Sequence, residues 1–407
     1  MPRPSAPARP EAGLIETTIE RIVPGGFGLA HGAGRTLFVA AAAPGDVVRV
    51  RLTRDRGSIA EARIVEIVAP GPDRIAPPFP AVAACGAADF AHLTYPAQLA
   101  AKHAMLADAL QRIGDIEPPA DLSVTPSPQE WGYRSRAEWN YDPMEPALGY
   151  LHAGSRAVCD LPEDPLVVSE LGACFLELRS RMNAGTLPEK PVAFRAAAGD
   201  AISLAPNLDG GEPREITIEA AGERLRLDAR CFFQANLPVT DVVVVEALRL
   251  AEPPTSGESL ALDLYAGVGL FTLPLARRFR RVIGVEADPL AAAYAAGNAL
   301  GADLPGVRMA AQPVEEWLDA AYRSYGRPPF LLLDPPRAGL SRSALRGVLR
   351  LRPSRIAYVS CDPATLARDL KAVLAEGYTL EGLAAFDMFP QTHHVESVAH
   401  LRRITET

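Results

Sequence analysis

The sequence predicts an α/β protein in three parts: an OB-like β-barrel, a mixed α+β middle, and a doubly wound α/β domain at the C-terminus. Three observations predict it. Short β-prone runs separated by glycine and proline turns fill residues 13–70. Residues 122–230 then alternate β-like segments with one clear helix. From Thr240 onward, helices alternate with short apolar strands at the spacing of a doubly wound sheet. A chain of 407 residues is long enough for two or three domains, each burying its own core.

Composition narrows the class. Charged residues at 22% and hydrophobic residues at 48% describe a globular chain. The five cysteines (85, 159, 174, 231 and 361) are odd in number and irregular in spacing, which argues for reduced thiols and a cytoplasmic setting. No apolar run is long enough to cross a membrane, and residues 1–10, rich in proline, read as a disordered tail without a signal-peptide core. The net charge is −8, yet residues 1–75 hold ten arginines against eight acids. An acidic body with one locally basic module suits a polyanion bound through a single face.

In the barrel, strands are expected over 14–22, 36–39, 47–52 and 59–68. Strand periodicity puts Arg49 and Arg51 on one face, with Arg54 and Arg56 in the turn beyond. Five strands closed in this way make a module that commonly binds nucleic acid, although a solvated arginine face on a structural barrel has the same pattern. A proline-rich linker (69–80) leads to an amphipathic helix over 95–112, with Leu99, Ala100, His103, Leu106 and Leu110 as its apolar side. His92 and His103 read as helix and core residues, because no other ligand has matching spacing. The middle part is expected to hold strands over 133–141, 147–152, 216–218 and 224–227 and a helix over 168–182. A helix over 242–250 then precedes strands over 260–264, 282–285, 330–333 and 356–359.

The chemistry-bearing residues gather at the ends of those last strands. Asp263-Leu264-Tyr265-Ala266-Gly267-Val268-Gly269 follows one strand and opens a helix, its glycines permitting close approach of a ligand. Glu286 ends the next strand, 19 residues after Gly267, where an acid can hold a ribose diol. A nicotinamide dinucleotide is the competing ligand, but the third glycine of its motif is replaced by Thr272. That loss favours an adenosine ligand without phosphates, such as S-adenosylmethionine. Asp334-Pro335-Pro336-Arg337 ends a third strand, and Ser360-Cys361-Asp362-Pro363 a fourth. Ligands of open α/β sheets lie outside the carboxyl ends of the strands, so Asp263, Glu286, Asp334 and Cys361 are expected to converge. Asp362 as N-cap and Pro363 as first helical residue set Cys361 at a helix N-terminus, which favours thiolate. A lone cysteine is more often a small buried hydrophobe; the surrounding acids are the reason to prefer a nucleophile. Glu396, in His393-His394-Val395-Glu396, would serve as acid or base if its segment returns to the same rim. A metal reading of the two histidines is weak, since neighbours on a strand point apart.

Taken together these stretches resemble the S-adenosylmethionine-dependent RNA (uracil-5-)-methyltransferase family. The resemblance rests on Phe232-Phe233-Gln234-Ala235-Asn236, the segment from Asp263 to Pro274, Gly284-Val285-Glu286, Asp334 to Gly339, Ser360 to Pro363 and His394 to Val398, in the family's order. It implies a class I methyltransferase, Rossmann-like domain over 233–407. It also implies a TRAM-like, RNA-binding barrel over 11–71 and a central α+β domain over 72–232. Cys361 then matches the nucleophile that adds to uracil C6, and Glu396 the base that removes the C5 proton. Gln234, Tyr265, Gly267, Gly269, Glu286 and Asp334 match the S-adenosylmethionine site. The implied substrate is a uridine in 23S ribosomal RNA, ahead of transfer RNA; no membrane is involved. One departure concerns the iron–sulfur cluster of many members, held by C-x5-C-x2-C and a distant fourth cysteine. Here the first and third positions fall on Phe79 and Ala88, leaving Cys85 and Cys159, so no cluster and no metal are expected. Two competing readings are an amino-group nucleic-acid methyltransferase, through the Asp-Pro-Pro loop, and an inactive RNA-binding factor.

Overall fold

The computed structural model describes residues 13–255 and 259–404, so the proline-rich start lies outside the described residues. The expected short strands close as a barrel. Ile15–Thr18 pairs with Val47–Asp55 at one end of a six-stranded sheet, and Arg21–Val23 pairs with Phe27–Gly32 at the other. These two segments are consecutive in the chain, so one broken strand joins both ends of the sheet and gives the five-stranded OB-like form. Alternate residues (Leu37, Val39, Val48, Val50, Ala60, Ala62) fill its interior.

The middle part holds a four-stranded antiparallel sheet that includes two strands not foreseen from the sequence, Val192–Ala198 and Ile202–Ala205. The helix Ser169–Asn183 packs Phe175 against Trp139 of this sheet, with ring centroids 5.1 Å apart. Cys85 and Cys159 are joined in a disulfide, Cα–Cα 5.8 Å, which corrects the expectation of wholly reduced thiols; Cys174, Cys231 and Cys361 are free. The irregular spacing concealed a pair separated by 74 residues.

The expected helix over 95–112 divides into an α-helix, Tyr95–Ala109, and one π-helical turn, Leu110–Gly114. Its buried side is also rotated from the expected one. Gln98, Ala101, Lys102, Met105, Leu106 and Ala109 are buried, while Ala100 and His103 are exposed. Two long polar side chains occupy this face because each finds a buried partner almost 300 residues away. Lys102 pairs with Asp387, and Gln98 with Gln391 at 3.0 Å. His92 is buried, its Nε2 3.2 Å from the Ala42 carbonyl.

The C-terminal domain is doubly wound. Numbered in chain order within the domain, its seven strands lie 3-2-1-4-5-7-6, the last in sequence (Glu396–Arg403) running antiparallel to Arg355–Ser360. The short strand Val124–Thr125 adds to the edge beside Tyr378–Phe386. Residues of one strand alternate between two apolar layers. Leu331 and Leu333 face the helices Val314–Tyr325, Arg342–Leu351 and Pro363–Ala375, while Phe330 and Leu332 face Leu237–Ala247 and Pro289–Gly301. Both faces are covered, which is why these strands read as unbroken apolar runs. Leu237–Ala247 starts earlier than foreseen, directly after Asn236. Among the described residues no helix is long and apolar enough to cross a membrane.

Candidate active site

Four strands deliver their C-terminal residues to one rim, and each is braced by its own local structure. After Leu260–Leu264 the chain turns through Tyr265, at φ 68°, a strained backbone for a non-glycine residue. Gly267, at φ 54°, presents its Cα to open space, and its N–H donates to the Glu286 carboxylate at 2.8 Å. The second Glu286 oxygen accepts from the Asp288 N–H at 2.8 Å, so this carboxylate is held facing the turn. Gly269 departs from expectation: a Cβ there would meet Leu273 at 2.9 Å and Ala295 at 3.5 Å. It serves close packing of the turn on a helix and does not line the cavity. Asp263 is likewise buried beneath the rim, accepting from Thr272 Oγ1 at 2.5 Å, with its other oxygen unpartnered among the described residues. The threonine in the third-glycine position therefore anchors the acid that starts the turn.

The loop after Phe330–Leu333 is tied to the helix that follows Cys361. Asp369 accepts from Leu340 N at 2.8 Å and from the Tyr358 hydroxyl at 2.7 Å, and Thr365 Oγ1 donates to the Arg337 carbonyl at 3.2 Å. Asp362 caps that helix as foreseen, accepting from Thr365 N at 2.8 Å ahead of Pro363. Ser360 lies opposite Ser397 in the antiparallel register, with Cys361 next after the one and Glu396 next before the other, and the Glu396 carboxyl is the strongest charge acting on the Cys361 thiol. The histidines before Glu396 lie in a loop, not on a strand, and their rings are 4.1 Å apart, not turned away from each other. His393 is held by Asp89 at 2.5 Å, and burial beside His393 pushes His394 down to about 2. Among the described residues no cluster of His, Cys, Asp or Glu is arranged to hold a metal.

These elements enclose a cavity of about 480 Å³. Of the residues singled out from the sequence, Gln234, Tyr265, Gly267, Glu286, Asp334, Cys361 and Glu396 all line it. Asp288, Pro335, Pro336, Arg337, Phe232 and Phe389 join them without having been singled out as site residues. The Phe232-Phe233 alternation was a usable signal: Phe233 is buried, whereas Phe232 is 62% exposed at the mouth, its ring 5.4 Å from the Arg136 guanidinium. Phe389 gave no signal, since only the folded loop brings it to the rim.

The lining holds four carboxyl groups (Glu286, Asp288, Asp334, Glu396) against one guanidinium, Arg337. Burial, then the nearby Asp263 and Glu286, push Asp334 up to about 7. Burial and Asp334 push Glu396 well above the carboxylate range, against the pull of Arg337. Cys361 is pushed up to about 12 by burial and by Glu396, which corrects the expectation of a thiolate set by the helix terminus alone. Desolvation and the Glu396, Asp334 and Asp362 carboxyls raise the thiol against the pull of Arg337. A cavity so rich in acid favours a cationic ligand, because a positive charge inside it would relieve every one of these shifts. The open cradle at Gly267 and the oriented Glu286 fit the nucleoside part of such a ligand.

Residues 214–404 match the family described as tRNA (Uracil-5-)-methyltransferase. The chain is 34% identical to the 23S rRNA (uracil(1939)-C(5))-methyltransferase RlmD of Alkalilimnicola ehrlichii, over 93% of this chain and 94% of that one. It is 31% identical to the protein of the same name from Pseudomonas entomophila, over 94% and 92%. Among solved structures, the Pyrococcus abyssi tRNA (uracil-54, C5)-methyltransferase in complex with S-adenosyl-L-homocysteine superposes with a TM-score of 0.71 at 23% identity. That superposition covers 95% of this chain and 100% of the other.

Proposed function

The chain belongs to the RNA (uracil-5-)-methyltransferase family, and from that membership we propose that it methylates C5 of a uridine in 23S ribosomal RNA through a covalent Cys361–uracil adduct. The observation that carries this reading is that Cys361, Glu396 and Asp334 line one acidic cavity. Relatives named for 23S ribosomal RNA support the choice of substrate over transfer RNA. Ribosomal RNA also supports a cytoplasmic site of action.

C5 of uracil is a poor carbon nucleophile, so the chain's task is to activate it. A positive charge in the acidic cavity favours the Cys361 thiolate and the Glu396 carboxylate, their protons going to solvent. The thiolate then forms a bond to C6, and the electron pair of the C5–C6 double bond moves into an enolate, making C5 nucleophilic. When bound, S-adenosylmethionine supplies the electrophilic methyl group and a sulfonium charge that suits the acidic lining. Glu396 then takes the C5 proton, the double bond re-forms, and Cys361 leaves C6 as thiolate. Gln234, Tyr265, Gly267, Glu286 and Asp334 hold the methyl donor, Gly269 supporting the turn from behind. Because Cys361 is only partly exposed and Glu396 is buried, the target base must leave its stack to reach them. The barrel lies beside the same loop: the turn at Gly26 comes so near His393 that a Cβ there would stand 2.8 Å from the histidine's Cβ. Arg51 and Arg63 stand opposite each other on neighbouring barrel strands, a pair suited to the RNA backbone.

RNA carrying 5-fluorouridine tests the mechanism, since fluorine at C5 blocks the final elimination. With S-adenosylmethionine present, a denaturation-resistant protein–RNA adduct is expected, and Cys361→Ala abolishes it. An adduct that persists in Cys361→Ala refutes the nucleophile. Methyl transfer to an exocyclic nitrogen refutes uracil-C5 chemistry.

A further inference from the structure

With a net charge of −8, the chain can meet a polyanion only through faces where arginines are gathered. One such face lies at the rim of the C-terminal sheet opposite the candidate active site. Two adjoining clefts of about 690 and 630 Å³ open there. Arg327, Arg352 and Arg403 line both, together with Glu376. Arg346 lines one; Arg355 and Arg402 line the other and are both bonded to Glu381. Among the described residues Arg327, Arg346, Arg352 and Arg403 meet no carboxylate at ion-pair distance.

The backbone adds an independent observation. Arg327 has φ 61° and Arg352 has φ 55°, the left-handed region in which glycine is relaxed and a long side chain is strained. Each position carries a guanidinium that meets no carboxylate at ion-pair distance among the described residues. Helix ends explain part of the local charge, because Val314–Tyr325 and Arg342–Leu351 both finish here and their C-termini favour cations. That effect is confined to the last turn, where Arg350 already stacks on Tyr322 at 3.3 Å. It leaves Arg403, at the end of a strand, unexplained.

We propose that this rim is a second RNA site, one that takes backbone phosphodiesters of the substrate outside the target nucleotide. The inference rests on the functional reading above. Arg355 and Ser360 end the same strand, five residue steps apart, so the two sites are separated by roughly 17 Å of sheet. An RNA touching both must therefore extend beyond the loop that holds the target base.

The test variant is Arg327→Gly with Arg352→Gly, since glycine removes both charges while relaxing both backbones, and a thermal melt confirms the fold. Binding and methylation are measured against salt for a domain-length ribosomal RNA fragment and for a minimal hairpin carrying the same uridine. On the long RNA, the slope of log K against log salt is expected to fall by about 1.4–1.8 for two lost phosphate contacts, with KM raised and kcat unchanged. Kinetics on the hairpin stay at the parent level. An unchanged slope on a long RNA that the parent methylates overturns the second site and leaves the functional reading intact. A parent that methylates neither RNA overturns both. If the variant loses inorganic tripolyphosphate but binds the long RNA as the parent does, the rim serves a free anion and the RNA assignment falls.

Discussion

Replacing Lys102 by Met should unseat the loop that carries part of the active site. Lys102 and Asp387 form a fully buried ion pair, and the Lys102 ammonium also donates to the Phe389 carbonyl at 3.0 Å. One oxygen of Asp387 has no hydrogen-bond partner among the described residues. Removing the ammonium leaves that carboxylate uncompensated inside the protein, a loss of about 3–5 kcal/mol. Removing both charges in Lys102→Met/Asp387→Leu instead exchanges a costly pair for apolar contact and should return stability to within about 1–2 kcal/mol of the parent. The coupling read from the double-mutant cycle is then at least about 2 kcal/mol. Urea and thermal melts of the parent, both single variants and the double variant supply it. Phe389 lies in the same loop and Glu396 follows it, so the single variant should lower kcat more than it raises KM for RNA. A cost below about 1 kcal/mol for Lys102→Met, or a double variant as unstable as the summed singles, would refute the reasoning.

Three further outcomes follow from the geometry. Glu396→Gln should let the adduct form on ordinary uridine but not resolve, lowering kcat by about 10²–10⁴-fold, and denaturing gels should show the trapped complex; normal turnover would remove Glu396 from the base's role. Asp263 and Asp334 titrate near 7 against 3.8 for a free aspartate, so the folded state keeps protons that the unfolded chain has already released. Their contribution to stability is complete below pH 3.8 and is lost as pH rises through about 7, so Asp334→Asn should gain in melting temperature over the parent at pH 8 relative to pH 4. An equal difference at both pH values would count against the shift. Gly269→Ala should cost stability through both its φ of 99° and a Cβ meeting Leu273 at 2.9 Å, whereas Gly267→Ala, at φ 54° but with no atom to meet, should cost only the backbone strain of about 1–2 kcal/mol and also weaken S-adenosylmethionine. Melts paired with calorimetric titration separate the two, and the reverse pattern would exchange their roles.

The sequence by itself determined the class of the C-terminal domain and most of its rim. Strand-end residues in a parallel sheet have nowhere else to go: once 260–264, 330–333 and 356–359 read as buried strands, Tyr265, Asp334 and Cys361 had to share one edge. The cap at Asp362 was legible for the same local reason, since an acid before Pro363 satisfies N–H groups of its own helix. What depended on partners distant in sequence was not legible. Lys102 and Gln98 lie outside the apolar side expected for their helix, and only Asp387 and Gln391, distant in sequence, make their burial possible. Cys85 and Cys159 were legible as the two remaining positions of one cluster, but their bonding to each other is a product of the folded central domain. The state of Cys361 was decided by tertiary structure as well. A helix terminus is written locally and favours thiolate, but burial and the Glu396 carboxyl, which raise the thiol, come from the folded sheet.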